Sequence, residues 1–187
     1  MSAPIFAPSA KPGAITYGSA GAGTNPHIAG ELLNNLAKIK LVAVHYKGGG
    51  PATISTLSGE TQLYFVNAIP EALPYIEAKR LKALGITAAR RNPAAPQIPT
   101  MAEAGLPGYE FTFWFGLFVP AGTPTAVVKR LHEAAAKGLA KQEVKDKIAL
   151  QGMDAAPSAS PEAFEAEVRA EAPMWEKLVR ESGAKVE

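Results

Sequence analysis

The sequence predicts an α/β fold with a mainly parallel sheet and flanking helices. Short apolar runs alternate with helical patterns in the first half of the chain, at residues 14–18, 41–46, 61–66 and 81–87. This alternation is typical of strand–helix repeats that build a parallel sheet. Ligands bind such sheets at the carboxyl ends of the strands, so a site is expected in the loops there. Three loops meet this description: residues 19–25, 47–50 and 67–69.

The first repeat is the clearest, because a strand, a turn and a helix follow one another within ITYGSAGAGTNPHIAGELLNNL. The turn contains Gly18, Gly21 and Gly23. Asn25 is expected to cap the helix, with Pro26 at its first position. Apolar residues at helical spacing predict the buried face: Ile28, Ala29, Leu32, Leu33 and Leu36. Free amides at this helix start, together with the helix dipole, favour a bound carboxylate, phosphate or sulfate.

The next repeats follow the same order. The second strand leads through a lysine and three glycines to a helix expected over residues 51–57, with Gly59 as a left-handed C-cap. A third strand, a helix over residues 70–79 and the fourth strand complete the predicted sheet.

Beyond a proline-rich connector at residues 90–99, the pattern changes. Thr100 and Glu103 predict a capping box over a single turn that Gly105 ends. Residues 111–119, FTFWFGLFV, predict a strand buried on both faces. Trp114 and Phe115, within this run, are expected to lie in the core. Three helices are expected after it: from Thr123 to Ala140, over residues 144–150, and from Ser160 to a stop at Gly183.

The composition excludes several classes of function. The 187 residues carry a net charge of +2 without a concentrated basic face, which argues against nucleic acid as a partner. Cysteine is absent, so thiol catalysis, disulfides and cysteine-bound metals are excluded. The three histidines are dispersed, and neither a metal site nor a cofactor is expected. No stretch reaches the ~20 apolar residues of a membrane span.

The glycine-rich turn does not match a nucleotide-binding motif. Its glycines follow G-x-x-G-x-G instead of G-x-G-x-x-G, and the acidic residue of the dinucleotide fingerprint is missing. It also lacks the lysine of a P-loop, because Thr24 directly follows Gly23. What remains is a neutral cradle of amides with the hydroxyls of Ser19 and Thr24, which suits a carboxylate. An ordinary strand-to-helix turn without a ligand fits the same residues equally well.

Few side chains near these loops are suited to catalysis. Ser19 lies in a turn that fails the G-x-S-x-G pattern of a nucleophile elbow. His27 could donate to a ligand, although a histidine near a helix start is more typical of a solvated surface. His45 is compatible with a buried, hydrogen-bonded side chain. Tyr46 and Asn67 end strands and point at the same region. The loops are nearly uncharged, which favours binding over catalysis.

Several segments together resemble one known family. They are PGAITYGSAGAGTNPHIAGELL, VHYKGGGPA, LKALGIT, IPTMAEAGLPGYEF, WFGLFVPAGTP and the helix that ends in SGAKVE. From Pro12 onward the chain resembles the Bug family, the extracytoplasmic solute receptors of tripartite tricarboxylate transporters. The resemblance implies a type II periplasmic-binding-protein fold, in which two α/β lobes close on a small organic (di)carboxylate and pass it to a membrane permease. It also implies that the protein is periplasmic and that it is not an enzyme.

The resemblance implies a set of ligand-binding residues: Ser19, Gly21, Gly23, Thr24, His27, Tyr46, Gly48 and Asn67. The chain departs from the family at two nearby positions. His45 stands where the family usually has proline, and Val66 stands where an acidic residue often precedes Asn67. The second departure weakens the case for an amino-acid ligand, whose ammonium group would need that acid.

Family members begin with a signal peptide and a first ligand-gripping loop, neither of which precedes Met1. The chain is therefore expected to be an incomplete receptor. Its predicted parts are an N-terminal extension (1–13), most of the second lobe (14–108) and the returning part of the first lobe with the C-terminal helices (109–187). An incomplete first lobe predicts weak binding and self-association. If Met1 is the true start, the predicted location is cytoplasmic.

Other functions stay open at this point. The same lobe architecture serves as the effector-binding domain of bacterial transcriptional regulators. A truncated receptor could also have little binding activity. An enzyme that acts on an anion is disfavoured by the uncharged loops.

Overall fold

A computed structural model describes residues 13–181, and its first half contains a three-stranded sheet. The sheet consists of β1 (Ile15–Ser19), β2 (Leu41–His45) and β3 (Leu63–Tyr64), which α1 (Asn25–Ala37) and α2 (Gly49–Ser58) connect. All strands are parallel, in the order β2-β1-β3. The predicted α/β class and parallel sheet are confirmed.

The central strand β1 carries the core residue Tyr17, whose side chain is completely buried. Its hydroxyl donates to the His27 carbonyl at 3.1 Å and to Glu31 Oε1 at 2.9 Å, both in α1. Burial, followed by the Glu31 carboxylate, raises the pKa of Tyr17. Gly30 makes this approach of helix and strand feasible, since a Cβ at Gly30 would overlap the Tyr17 ring.

Helix α1 differs from the prediction at both ends. Its N-cap is Thr24, so Asn25 is the first helical residue and not the cap. At the other end Leu36 is 40% exposed, and its expected burial is wrong. The Asn34 side chain instead holds the last turn to β2, with Oδ1 accepting from the Leu41 amide at 2.7 Å. Leu36 lies about 200° around the helix from Asn34, so it points away from the sheet.

Two further elements of the sheet region have different bounds from those predicted. Helix α2 begins inside the glycine triplet, because Gly48, with a φ of 105°, makes the turn and serves as the N-cap. The predicted third strand shortens to two residues. The Thr61 hydroxyl bonds to the hydroxyls of Ser55 and Thr56, each at 2.9 Å, and so holds the segment just before β3 against α2.

The predicted fourth strand is wrong. After α3 (Ile69–Glu77), the amides of Arg80 and Leu81 both donate to the Tyr75 carbonyl, which wraps the chain onto the helix end. Residues 81–87 form only one parallel bridge, between Ile86 and Thr100.

The predicted capping box is confirmed. The Thr100 amide donates to Glu103 Oε2 at 2.8 Å, and the Glu103 amide donates to Thr100 Oγ1 at 3.1 Å. These two bonds fix the single turn that follows the sheet region.

Contacts divide the described chain into two units, residues 114–176 and the remainder. The second half contains α4 (Thr125–Leu139), α5 (Gln142–Leu150) and α6 (Pro161–Glu181), which confirms the three predicted helices. The predicted stop at Gly183 lies outside the described residues. Within residues 13–181, no helix combines the length and apolarity needed to cross a membrane.

The strand predicted at residues 111–119 is wrong, since the described chain has no strand there. Three of its side chains are at least 70% exposed: Phe115, Leu117 and Phe118. Trp114 is 42% exposed, so the expected core position of Trp114 and Phe115 is wrong as well. A strand needs a neighbour to bond its amides and carbonyls. Within residues 114–176 the structure contains no strand that could supply one.

Candidate functional site

The carboxyl ends of the parallel strands bring three loops to one edge of the sheet. We call residues 19–24, between β1 and α1, the glycine loop. The Tyr46 amide donates to the Ser19 carbonyl at 2.9 Å, and the Gly48 amide donates to the Ala20 carbonyl at 3.1 Å. These bonds tie the loop after β2 directly to the glycine loop. Asn67 follows β3, on the other side of β1.

The glycine loop is held by its own hydroxyls. The Gly21 carbonyl accepts from Ser19 Oγ at 2.8 Å and from Thr24 Oγ1 at 2.7 Å. The Gly21 amide donates back to Ser19 Oγ at 3.1 Å. Gly21 and Gly23 have φ values of 141° and 73°, which side chains rarely permit. Ser19 and Thr24 therefore fix the backbone of the loop.

Three backbone amides at this helix start have no hydrogen-bond partner among residues 13–181: those of Ala22, Asn25 and His27. They lie at the positive end of the helix dipole of α1. The outer side of the loop is open, since a Cβ at Gly23 or Gly48 would meet nothing within 4 Å. Unpaired amides at a helix start are suited to bind an anion.

His27 is 5% exposed, so the expectation of a solvated residue is wrong. Its Nδ1 accepts from the Gly23 amide at 3.0 Å, which places the ring proton on Nε2. Burial, followed by the neighbouring His45, lowers the pKa of His27. A buried, neutral imidazole thus supports the glycine loop from the helix side.

His45 also contacts the glycine loop, although it is not among the predicted ligand-binding residues. Its ring lies 4.7 Å from the His27 ring, nearly perpendicular to it, and its Nδ1 lies 2.9 Å from Ser19 Oγ. Ser19 already donates to the Gly21 carbonyl, so His45 Nδ1 is the donor in this bond. The sequence signal for this contact is that a histidine stands where the family usually has proline.

Tyr46 offers a buried polar group to the site. Its hydroxyl is buried without a hydrogen-bond partner in the described chain. A buried hydroxyl left unpaired costs about 1–3 kcal/mol. A polar atom of a ligand, or a water held with it, would relieve this cost.

Three polar side chains lie around the start of α2. A Cβ built on Gly49 would lie 2.8 Å from Tyr64 Oη, 3.8 Å from Glu71 Oε2 and 4.0 Å from Asn67 Nδ2. Burial, and then the Glu71 carboxylate, raise the pKa of Tyr64 to about 12. Glu71, in the first turn of α3, is the acid of this edge that sequence reasoning did not place near the site. Among the described residues, no cluster of histidine and acidic side chains could hold a metal ion.

Open α/β proteins with a parallel sheet bind their ligands at the carboxyl ends of the strands, which is the edge where these loops gather. The chain belongs to the tripartite tricarboxylate transporter receptor family, whose model matches residues 2–183. The family resemblance inferred from the sequence is confirmed.

Two relatives illustrate the sequence similarity. The protein encoded in the tcbD-tcbE intergenic region of a Pseudomonas species is 37% identical over 171 residues, which cover 91% of this chain and 50% of that protein. BugT of Bordetella pertussis is 31% identical over 178 residues, which cover 95% of this chain and 54% of BugT. The chain thus spans about half the length of these relatives.

Two solved structures illustrate the similarity in fold. R. palustris Rpa4515 with adipate has a TM-score of 0.80 at 31% identity, with 93% of this chain and 57% of that chain covered. MatC from Rhodopseudomonas palustris with bound malate has a TM-score of 0.78 at 30% identity, with 94% and 63% covered. The fold is that of a solute-binding receptor, of which the chain covers a part.

Proposed function

We propose that the chain is the ligand-binding part of a receptor that captures a small organic dicarboxylate in the periplasm for a tripartite tricarboxylate transporter. Its partner is the membrane permease of that transporter, and it performs no catalysis. Family membership and two neighbours with bound dicarboxylates, adipate and malate, support this function. They do not favour the effector domain of a transcriptional regulator. The observation that carries the proposal is the set of unpaired amides of Ala22, Asn25 and His27, where the glycine loop leads into α1.

The residues expected to bind the ligand then have two roles. Unpaired amides of the glycine loop and α1 hold one carboxylate. Because Gly21, Gly23 and Gly48 have no side chains, the carboxylate can approach the backbone closely. Ser19 and Thr24 position these amides through their bonds to the Gly21 carbonyl. Side chains contact the ligand itself: His27 Nε2, the unpaired Tyr46 hydroxyl and the Asn67 amide.

In this receptor, residues 14–108 form most of the second lobe, residues 109–187 contribute the returning part of the first lobe, and residues 1–13 are an extension. We also propose that the chain self-associates through the exposed apolar residues around Phe115 and Leu117. A second copy can cover these side chains, and contiguous exposed apolar surface favours such association.

The glycine loop can be tested with a matched pair of variants. Gly23 and Gly122 have φ values of 73° and 83°, and a Cβ at either position meets nothing within 4 Å. Alanine therefore introduces similar backbone strain, about 1–2 kcal/mol, at both positions. Only Gly23 lies in the glycine loop, so only its new methyl group would obstruct the amides.

Isothermal titration calorimetry with adipate and malate gives the readout. We expect the unmodified chain to bind at least one of the two acids. Gly23→Ala should lower the affinity at least tenfold, and Gly122→Ala should leave it unchanged. The absence of binding up to millimolar acid, or equal effects of the two substitutions, would contradict the proposal.

A further inference from the structure

We propose that His45 is the cationic contact of the ligand carboxylate, and that its imidazole takes up a proton from solvent when the acid binds. This inference rests on the proposed function and deepens it. It adds a binding residue and predicts that the doubly charged form of the acid binds with net proton uptake.

The hydrogen bonds of Ser19 determine which nitrogen of His45 is free. Ser19 Oγ donates to the Gly21 carbonyl and accepts from the Gly21 amide, so its remaining lone pair accepts from His45 Nδ1–H at 2.9 Å. Nδ1 thus carries a proton in the neutral ring and in the charged ring alike. His45 Nε2 has no hydrogen-bond partner in the described chain, and the side chain is exposed. Protonation at Nε2 therefore adds a charge and a donor without breaking a bond of the glycine loop.

His27 behaves in the opposite way. Its Nδ1 accepts from the Gly23 amide at 3.0 Å, so a proton on Nδ1 would set two donors against each other and break the bond. His27 is also 5% exposed, whereas a charged imidazole needs solvent or a counter-ion. The two rings lie 4.7 Å apart, and two like charges at that distance repel. The geometry therefore assigns the neutral role to His27 and the charge to His45.

The charged groups nearby leave this role to His45. From α1, Glu31 faces the pair, but its carboxylate accepts from the Tyr17 hydroxyl of β1 at 2.9 Å and from Asn34 Nδ2 at 3.2 Å. Ser19, the contact from β1, does not titrate. Lys47, two residues after His45, is exposed and adds positive charge at this edge. An imidazole is the side chain whose charge changes near neutral pH, and an anion beside it favours the protonated form.

Histidine ring resonances give a direct test, because the chain has only three histidines. The third, His132, lies on α4 with Nε2 2.9 Å from the Ser158 carbonyl, and it serves as an internal reference. The imidazole carbon-bound protons are titrated with pH in the full chain, without and with saturating adipate. Adipamide at the same concentration is the uncharged control, and single His→Asn variants assign the signals.

We expect adipate to shift the His45 ring resonances towards those of a protonated imidazole, with no such change at His132 and none with adipamide. His45→Asn keeps a donor toward Ser19 but cannot become charged. Calorimetry in two buffers of different ionisation enthalpy should therefore show proton uptake in the unmodified chain and in His132→Asn, and none in His45→Asn. Binding of adipate without a shift at His45, or uptake retained in His45→Asn, would overturn this inference alone. Absence of binding of both adipate and malate at any pH would overturn it together with the proposed function, and malate with malamide replaces adipate with adipamide if only malate binds.

Discussion

The sequence predicts strands at β1, at β2 and at residues 111–119, yet only the first two form. β1 and β2 pair over five residues each, with Ile15 opposite Leu41 and Ser19 opposite His45. The later run has no strand in the described chain, and it exposes Phe115, Leu117 and Phe118 although Phe111 is buried. Apolar composition indicates where burial is favourable. Strand formation requires, in addition, a neighbour whose amides and carbonyls can be paired.

The same contrast appears in two aromatic side chains that bond to carboxylates. Tyr17 donates to Glu31 at 2.9 Å while completely buried, and Trp114 donates to Glu171 at 2.8 Å while 42% exposed. Their bond lengths are nearly equal. The bond in the sheet region is partly buried and its donor is fully buried, so water competes with it less. The bond of Trp114 competes with water and therefore contributes less to stability.

The largest effect on stability is expected from substitutions that test how tightly α1 and α4 are packed. A Cβ at Gly30 in α1 would overlap the Tyr17 ring, whereas a Cβ at Gly138 in α4 would meet nothing within 4 Å. Gly30→Ala should lower the free energy of unfolding by about 2 kcal/mol, since overpacking outweighs the gain in helix propensity. Gly138→Ala should raise it by up to about 1 kcal/mol. Urea denaturation followed by circular dichroism measures both, and changes of the same sign would contradict this comparison.

A smaller effect is expected from the exposed apolar run. Phe115→Ser and Leu117→Ser together should weaken self-association at least tenfold, because burying one such side chain contributes about 1.5–3 kcal/mol. Ile54→Ser is the matched control, since Ile54 is 66% exposed on α2 but lies outside the run. Sedimentation velocity over a range of protein concentrations gives the association constants. A monomeric unmodified chain at high concentration would rule out self-association through this run.

The smallest effect concerns pH. Because burial lowers the pKa of His27, folding disfavours its charged form. The resulting stabilisation is complete above the ordinary pKa of about 6.5 and is lost as the pH falls below it. His27→Asn should flatten the pH dependence of the melting temperature between about pH 6.5 and 5, because asparagine does not titrate in this range. Its side-chain oxygen can still accept from the Gly23 amide, so the loop keeps that bond. His132→Asn, in the other region, should keep the slope of the unmodified chain, and the same flattening there would show that His27 is not its source.

Much of the sheet region could be predicted from the sequence, because its signals are local. Glycines with positive φ, proline at the start of α1 and period-two or helical apolar spacing each specify nearby backbone. The capping box of Thr100 and Glu103 is another local signal, and both of its bonds form. The predicted strand at residues 81–87 failed because its outcome depended on a partner elsewhere in the chain.

The candidate site was predicted in outline and not in its contacts. The strand-end rule located the glycine loop, Tyr46 and Asn67 at one edge. It could not reveal that the hydroxyls of Ser19 and Thr24 are used inside the loop, since that depends on φ values at Gly21 and Gly23. Nor could it place His45 beside His27, because that contact arises from the register of β1 and β2.

By itself, the sequence determined the α/β class, the receptor family and the three later helices. These properties follow from residue spacing and from backbone preferences that act within a few positions. Only the tertiary structure decided that Tyr17 is completely buried, that His27 is buried and neutral, and that residues 111–119 form no strand. Burial, strand pairing and the choice of donor or acceptor depend on residues brought together from distant positions, and no local pattern encodes them.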